Sequence, residues 1–218
     1  MSSFRIESRR FRRTTAQMVL DPVFPVVRVI VHRGSSGSSA GSGFLLADDG
    51  WNRVVVTAAH VFPSTQIDTV TSVSVDAQDR DGLLHRSPAV SVAFYCPFRR
   101  SHDLAVLCLE TGYAHVMQPL KIAIPPASWT PVKVCGYVGA GFHTAHFHGQ
   151  REGDFVPLRH GVGVEGLSGG PVVHGDDVYA VYLGRVHTGS QRIFAGLVAR
   201  AAQFGELMLA AAKEAGWG

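Results

Sequence analysis

A chain of 218 residues with 46% hydrophobic and 17% charged side chains has the make-up of an ordinary globular protein with a sizeable core. Its net charge of +3 is too small to argue for a nucleic-acid partner, and none is expected; much of it sits in Arg5, Arg9, Arg10, Arg12 and Arg13. No run of about 18 apolar residues occurs, so neither a transmembrane helix nor a membrane partner is expected.

Residues 1–21 read as a basic, flexible leader. The stretch after it, Val19-Leu20-Asp21-Pro22-Val23-Phe24-Pro25, is broken by an acid and two prolines, unlike the apolar core of a secretory signal. From Val26 the pattern turns to short β-rich runs. Val26–His32 is a strand candidate, and the Gly- and Ser-rich stretch 34–43 reads as a loop, either a plain linker or a flap. Runs at 44–47 and 53–57 flank Asp48-Asp49-Gly50 and predict a hairpin. Further strands are expected at 70–76, 89–95, 104–109, 132–138, 171–174, 178–183 and 192–198. The tail from Ala199 to Ala215 is rich in helix formers and predicts a C-terminal helix. The sum is an all-β chain with one terminal helix. Cys96, Cys108 and Cys135 are too few and too odd in number for a disulfide framework. They read as buried, reduced thiols, which sets the expected location as cytoplasmic.

Three islands carry chemistry. In Gly166-Leu167-Ser168-Gly169-Gly170-Pro171-Val172 a serine stands between glycines, which permit a tight turn and bring backbone N–H groups close to a reacting carbonyl. Val54-Val55-Val56-Thr57-Ala58-Ala59-His60 is an apolar strand ending in small residues and a histidine. Ser101-His102-Asp103-Leu104-Ala105-Val106-Leu107 sets an acid immediately before a second apolar strand. Each has an ordinary alternative by itself: a satisfied histidine, a turn or cap aspartate, a glycine-rich loop. Together they supply base, orienting carboxylate and nucleophile in the order His60, Asp103, Ser168.

Thr57-Ala58-Ala59-His60, His102-Asp103-Leu104-Ala105 and Gly166-Leu167-Ser168-Gly169-Gly170-Pro171 resemble the three catalytic motifs of the trypsin/chymotrypsin-like serine protease superfamily, over roughly residues 25–205. Gly41-Ser42-Gly43-Phe44-Leu45, Val132–Tyr137 and Ile193–Val198 are similar to segments of its compact bacterial stress-response branch, here without the appended PDZ domain. The resemblance implies two six-stranded antiparallel β-barrels. The first is expected over about 22–115, the second over about 116–198, and the helix over about 199–216. It implies a serine endopeptidase acting on protein or peptide substrates, with no cofactor and no metal. It places the oxyanion hole at the backbone N–H groups of Gly166 and Ser168. The substrate-binding walls fall at Val162, Glu165, Tyr182, Leu183, Gly184 and Ala195. Val162 in the basal position favours an apolar substrate side chain, with Glu165 offering a basic alternative.

Two departures bear on control. Secreted digestive relatives carry a cysteine after the catalytic histidine, where this chain has Val61. They carry an aspartate before the serine, where this chain has Leu167, and no Ile-Val-Gly-Gly-like site stands near the start. Activation by N-terminal clipping is therefore not expected; loop ordering, oligomerisation or an activating protein partner remain. A bacterial protease, a viral polyprotein-processing protease and a non-catalytic pseudoprotease all stay open. In the run His143-Thr144-Ala145-His146-Phe147-His148, alternation puts His146 and His148 on one strand face, with His160 following, but no cysteine or carboxylate accompanies them, and an exposed strand explains the pattern.

Overall fold

The computed structural model describes residues 25–45, 54–62, 70–79, 83–95, 103–110, 120–152, 155–185 and 193–197. The leader, the Asp48-Asp49-Gly50 turn, Cys96, His102 and the helix expected over 199–216 lie outside these residues.

The first half is a closed antiparallel barrel. Its strands are β1 (Val26–His32), β2 (Ser38–Leu45), β3 (Val54–Thr57), β4 (Ser72–Gln78), β5 (Leu84–Tyr95) and β6 (Leu104–Leu109), in the order β1-β2-β3-β6-β5-β4 with β4 returning to β1. Closure leaves no free sheet edge. Val54–Thr57 and Leu104–Leu109 are buried at every position, on both strand faces. That is why they read in sequence as unbroken apolar runs rather than alternating ones.

The second half comprises β7 (Lys121–Ile122), β8 (Thr130–Val138), β9 (Gly141–Gly149), β10 (Phe155–Arg159), β11 (Pro171–His174), β12 (Asp177–Arg185) and β13 (Ile193–Leu197). They form one sheet, β11-β8-β9-β10-β13-β12-β7, curled until β11 also pairs with β12. Six of its strands follow the antiparallel pattern expected from the sequence; the two-residue β7 adds to β12 in parallel. Cys135, Tyr137, Val173, Val178 and Val181 of this half join the core of the first, so the halves share apolar surface.

Residues 38–43, read from the sequence as loop, are strand. β2 pairs with β1 from Ser38 to Phe44 and with β3 from Gly43 to Leu45. The run is glycine-rich for want of room. A Cβ on Gly43 would lie 2.9 Å from both Val55 Cγ1 and the Val56 carbonyl oxygen, and 3.0 Å from Val29 Cγ2. β9 is the strand that the alternation of His146 and His148 allows, whereas β10 is not among the expected strands and contains Pro157, a residue that argues against a strand interior. It is accommodated because β9 joins β10 only at Leu158 and Arg159, beyond the proline.

Cys108 and Cys135 are both buried, as expected. Burial pushes the Cys135 thiol up to about 11, against smaller downward effects of the Thr144 hydroxyl and Lys133. A raised pKa leaves the neutral thiol dominant below that value, so Cys135 should resist iodoacetamide at pH 8 in the folded protein and react on unfolding, as peptide-resolved mass spectrometry would show. Gly43→Ala should cost about 2 kcal/mol of stability, read as a lowered denaturation midpoint, because the Val56 backbone cannot give way.

Candidate functional site

His60 and Asp103 come from neighbouring strands. β3 and β6 run antiparallel with Thr57 opposite Ala105, so the end of β3 and the start of β6 share one rim of the barrel. Beyond β3 the chain makes a single 3-10 turn, Ala59–Val61, with Ala58 and Ala59 buried at 0% and 2% exposure. Side chains this small let the turn press against Asp103. The Ala59 N–H donates to the Asp103 carbonyl at 3.3 Å, and the His60 N–H to Asp103 Oδ1 at 2.8 Å. His60 Nδ1 pairs with Asp103 Oδ2. A carboxylate accepts and does not donate, so this pairing puts the imidazole proton on Nδ1 and leaves Nε2 as the basic nitrogen. The Asp103 side chain is mostly buried at 14% exposure, while that of His60 is open at 39%. The acid is shielded and the base is reachable.

Ser168 lies on the loop between β10 and β11. Two positions of this loop demand glycine. Gly166 has φ +97° and Gly169 has φ +87°, backbone that other residues rarely adopt. Space is short as well. A Cβ on Gly166 would sit 2.7 Å from the Tyr137 carbonyl oxygen, and one on Gly169 would collide with the Ser42 carbonyl and Thr57 Oγ1. The loop is clamped from behind by β12: the Gly169 N–H donates to the Tyr182 carbonyl, and the Tyr182 N–H to the Gly170 carbonyl, each at 2.8 Å.

The same loop reaches the barrel rim that holds His60. A Cβ on Gly169 would be 2.9 Å from the Ala58 nitrogen. A Cβ on Gly41 would fall 3.0 Å from the Ser168 carbonyl oxygen and 2.5 Å from Val61 Cγ2, so the bare backbone of Gly41 lies against both the serine loop and the residue after His60. Ser42, not singled out from the sequence as a site residue, donates its N–H to the Ser168 carbonyl at 2.7 Å. Among the described residues Ser168 Oγ makes no hydrogen bond, and the N–H groups of Gly166 and Ser168 donate to no acceptor. Gly166 and Ser168 are half-exposed, so these three polar groups of one short loop face reachable space.

The other residues marked in the sequence divide. Gly184, at φ +84°, lies beside the serine: a Cβ there would be 3.6 Å from Ser168 Oγ. Tyr182 is buried at 2% exposure, its ring 6.3 Å from that of Phe147, and its main chain already holds the serine loop. Leu183 is half-buried and packs on the shared core. Ala195 of β13 lies opposite Tyr182 and Val156. Glu165 is exposed. Val162 stands 72% exposed and Val164 39%, so this loop shows apolar side chains to solvent rather than an enclosed pocket floor.

His146, His148 and His160 meet elsewhere. With Lys133 and His174 they line a cavity of about 430 Å³ in the second half, and the rings of His148 and His160 meet edge-on at 5.5 Å. Among the described residues no group of three or more side chains is arranged to hold a metal ion. No described helix is long and apolar enough to cross a membrane.

Comparison with known proteins gives a family match over residues 41–181, to the trypsin-like peptidase domain. A comparison with curated protein sequences found no match. Among solved structures, the active form of the Rv3671c protease from M. tuberculosis is 22% identical, with a TM-score of 0.65 over 87% of this chain and 83% of that one. The serine endoprotease from Yersinia pestis is 19% identical, with a TM-score of 0.63 over 89% and 66% of the two chains. An inactivated protease paralogue of the scabies mite, S-I1, is 18% identical, with a TM-score of 0.67 over 86% and 96%. These likenesses show the fold, which active and inactivated proteins share.

Leu167 is fully buried in the second core cluster. Leu167→Asp should therefore cost about 4 kcal/mol in chemical denaturation, since the carboxylate would replace apolar contacts and enter the core unpaired.

Proposed function

This chain belongs to the trypsin-like peptidase domain family, and from that premise we propose that it is a serine endopeptidase working through His60, Asp103 and Ser168. The observation that carries the reading is the double engagement of Asp103 by His60, through the backbone N–H and through Nδ1. It orients the ring and leaves Nε2 basic on the rim where the Ser168 loop docks.

On this reading the substrate carbonyl enters beside Ser168. Nε2 of His60 takes the hydroxyl proton as Ser168 Oγ bonds to the carbonyl carbon. The oxyanion that forms is received by the N–H groups of Gly166 and Ser168, which have no other acceptor among the described residues. His60 then returns its proton to the leaving amine, and an acyl-enzyme remains. Water attacks that ester with His60 again as base, releasing the acid and restoring Ser168. Asp103 stays ionised throughout and stabilises the imidazolium. A Ser168–His60 hydrogen bond, not made among the described residues, forms as substrate fills the site, as is common at catalytic pairs. No step calls for a cofactor.

The finer parts of the reading have their own supports. An apolar substrate side chain suits Val162 and Val164, the exposed apolar residues of the loop entering Gly166. A reducing, cytoplasmic setting suits the sparse, odd-numbered cysteines and the buried thiol of Cys135. A bacterial source suits the Ala-, Gly-, Val- and Arg-rich composition. Control through loop ordering or an activating protein partner, rather than N-terminal clipping, suits a buried Leu167 where an ion-pairing aspartate would be needed.

Labelling by a fluorophosphonate probe tests the peptidase reading. The wild-type chain should be labelled and Ser168→Ala should not; a folded wild-type chain that stays unlabelled would make it a pseudoprotease. Asp103→Asn should keep the fold and lower kcat by about 10⁴-fold, because the wrong tautomer of His60 is then held. Near-normal turnover in that variant would remove Asp103 from the mechanism.

A further inference from the structure

Ser42 is fully buried in β2, in the first barrel, yet both its N–H and its hydroxyl are engaged at the junction with the second. Its N–H donates to the Ser168 carbonyl at 2.7 Å. Its hydroxyl donates to the Gly166 carbonyl at 2.9 Å and accepts from the Tyr137 N–H at 2.8 Å. Its own carbonyl accepts from Thr57 Oγ1 at 2.6 Å, on the strand that leads to His60. One residue therefore grips the carbonyls on either side of the Leu167–Ser168 peptide and is itself held by the strand of the base.

We infer that Ser42 is a positioning residue whose hydroxyl sets the orientation of the Gly166–Leu167 peptide and so holds the oxyanion site open. The inference rests on the peptidase reading above. Its physical basis is the freedom of glycine. Gly166 at φ +97° has no side chain to restrict rotation of the peptides around it, so an outside acceptor or donor must choose their direction. The Ser42 hydroxyl is that donor: with the Gly166 carbonyl turned towards Oγ, the carbonyl cannot rotate into the space where an oxyanion would sit. The Ser42 N–H does the same for the Ser168 carbonyl. Of the two N–H groups that donate to no acceptor among the described residues, that of Ser168 lies between these two fixed carbonyls along the chain, and that of Gly166 immediately precedes the first.

The packing shows that the site is built around this hydroxyl. A Cβ on Gly136 would overlap Ser42 Oγ, so glycine at 136 clears its place. The Tyr137 N–H occupies the oxygen as an acceptor, which leaves its single proton for Gly166. Ser42→Ala removes the hydroxyl with little change of shape, leaving the Gly166 carbonyl and the Tyr137 N–H without this partner.

The test compares wild type, Ser42→Ala and Ser42→Cys as full chains, with Ser168→Ala as the blank. Three readouts are used: the second-order rate of fluorophosphonate labelling, kcat and KM on p-nitrophenyl butyrate, and the thermal midpoint. Ser42→Ala should stay folded and keep KM within about twofold. Its kcat and labelling rate should fall together by about tenfold or more, the size expected for losing one neutral hydrogen bond that orients the site. Ser42→Cys, with a weaker donor in the same place, should recover part of both rates. A labelled wild type with unchanged rates in folded Ser42→Ala, or a loss in KM alone, overturns the role of Ser42 and leaves the peptidase reading standing. An unlabelled, inactive wild type overturns both. If Ser42→Ala does not fold, Ser42→Cys decides: lowered kcat at unchanged KM supports the role, and unchanged kcat overturns it.

Discussion

Closeness between β2 and the loop of Ser168 is the constraint on which the rest of this structure depends. At Gly41 and Gly169 the two backbones approach until no β-carbon fits between them, and the gap is bridged directly by the Ser42 N–H and the Ser168 carbonyl. Such an approach is bought with conformational freedom, since glycine loses more of it on folding than other residues do. In return the nucleophile candidate is located by main-chain geometry, which varies far less than the rotamers of long side chains would allow.

Around this junction the two halves take different tasks. The first barrel is closed and buried on both faces of β3 and β6, so the rim carrying His60 and Asp103 is rigid. The curled sheet of the second half contributes the serine loop and clamps it through the Tyr182 main chain. The base and acid of the proposed mechanism are thus fixed on one body and its nucleophile on the other. That mechanism needs the two bodies to meet, and the shared core of Cys135, Tyr137, Val173, Val178 and Val181 keeps them together.

Legibility in the sequence followed the same division. His60, Asp103 and Ser168 were readable because each needs a particular neighbourhood: small residues before the histidine, an apolar strand after the acid, glycines around the serine. β1, β3 and β6 were readable because apolar side chains dominate them. Residues 38–43 were not, since the pressure there is for absence of side chain, and Ala-Gly-Ser-Gly carries no strand propensity. β10 was hidden by Pro157, whose accommodation depends on where β9 stops. The role of Ser42 is not legible in the sequence, because its partners at Gly166 and Tyr137 lie 124 and 95 residues away. The exposure of Val162 likewise belongs to tertiary structure, since an apolar residue in a loop looks the same in sequence whether it lines a pocket or faces water.

The crowding at the junction also governs how this chain can change over generations. Ser42 occupies the space that a Cβ on Gly136 or Gly169 would need, and Gly41 leaves room for Val61 and the Ser168 carbonyl, so a substitution at any of these positions must be answered at the neighbour it would strike. Drift can proceed one step at a time over the outer walls of the barrels, but across this contact it must proceed by compensated sets. The two barrels are therefore not exchangeable modules: a half taken from a relative would bring its own spacing, and the graft would fail first at the four residues where the halves were fitted to each other.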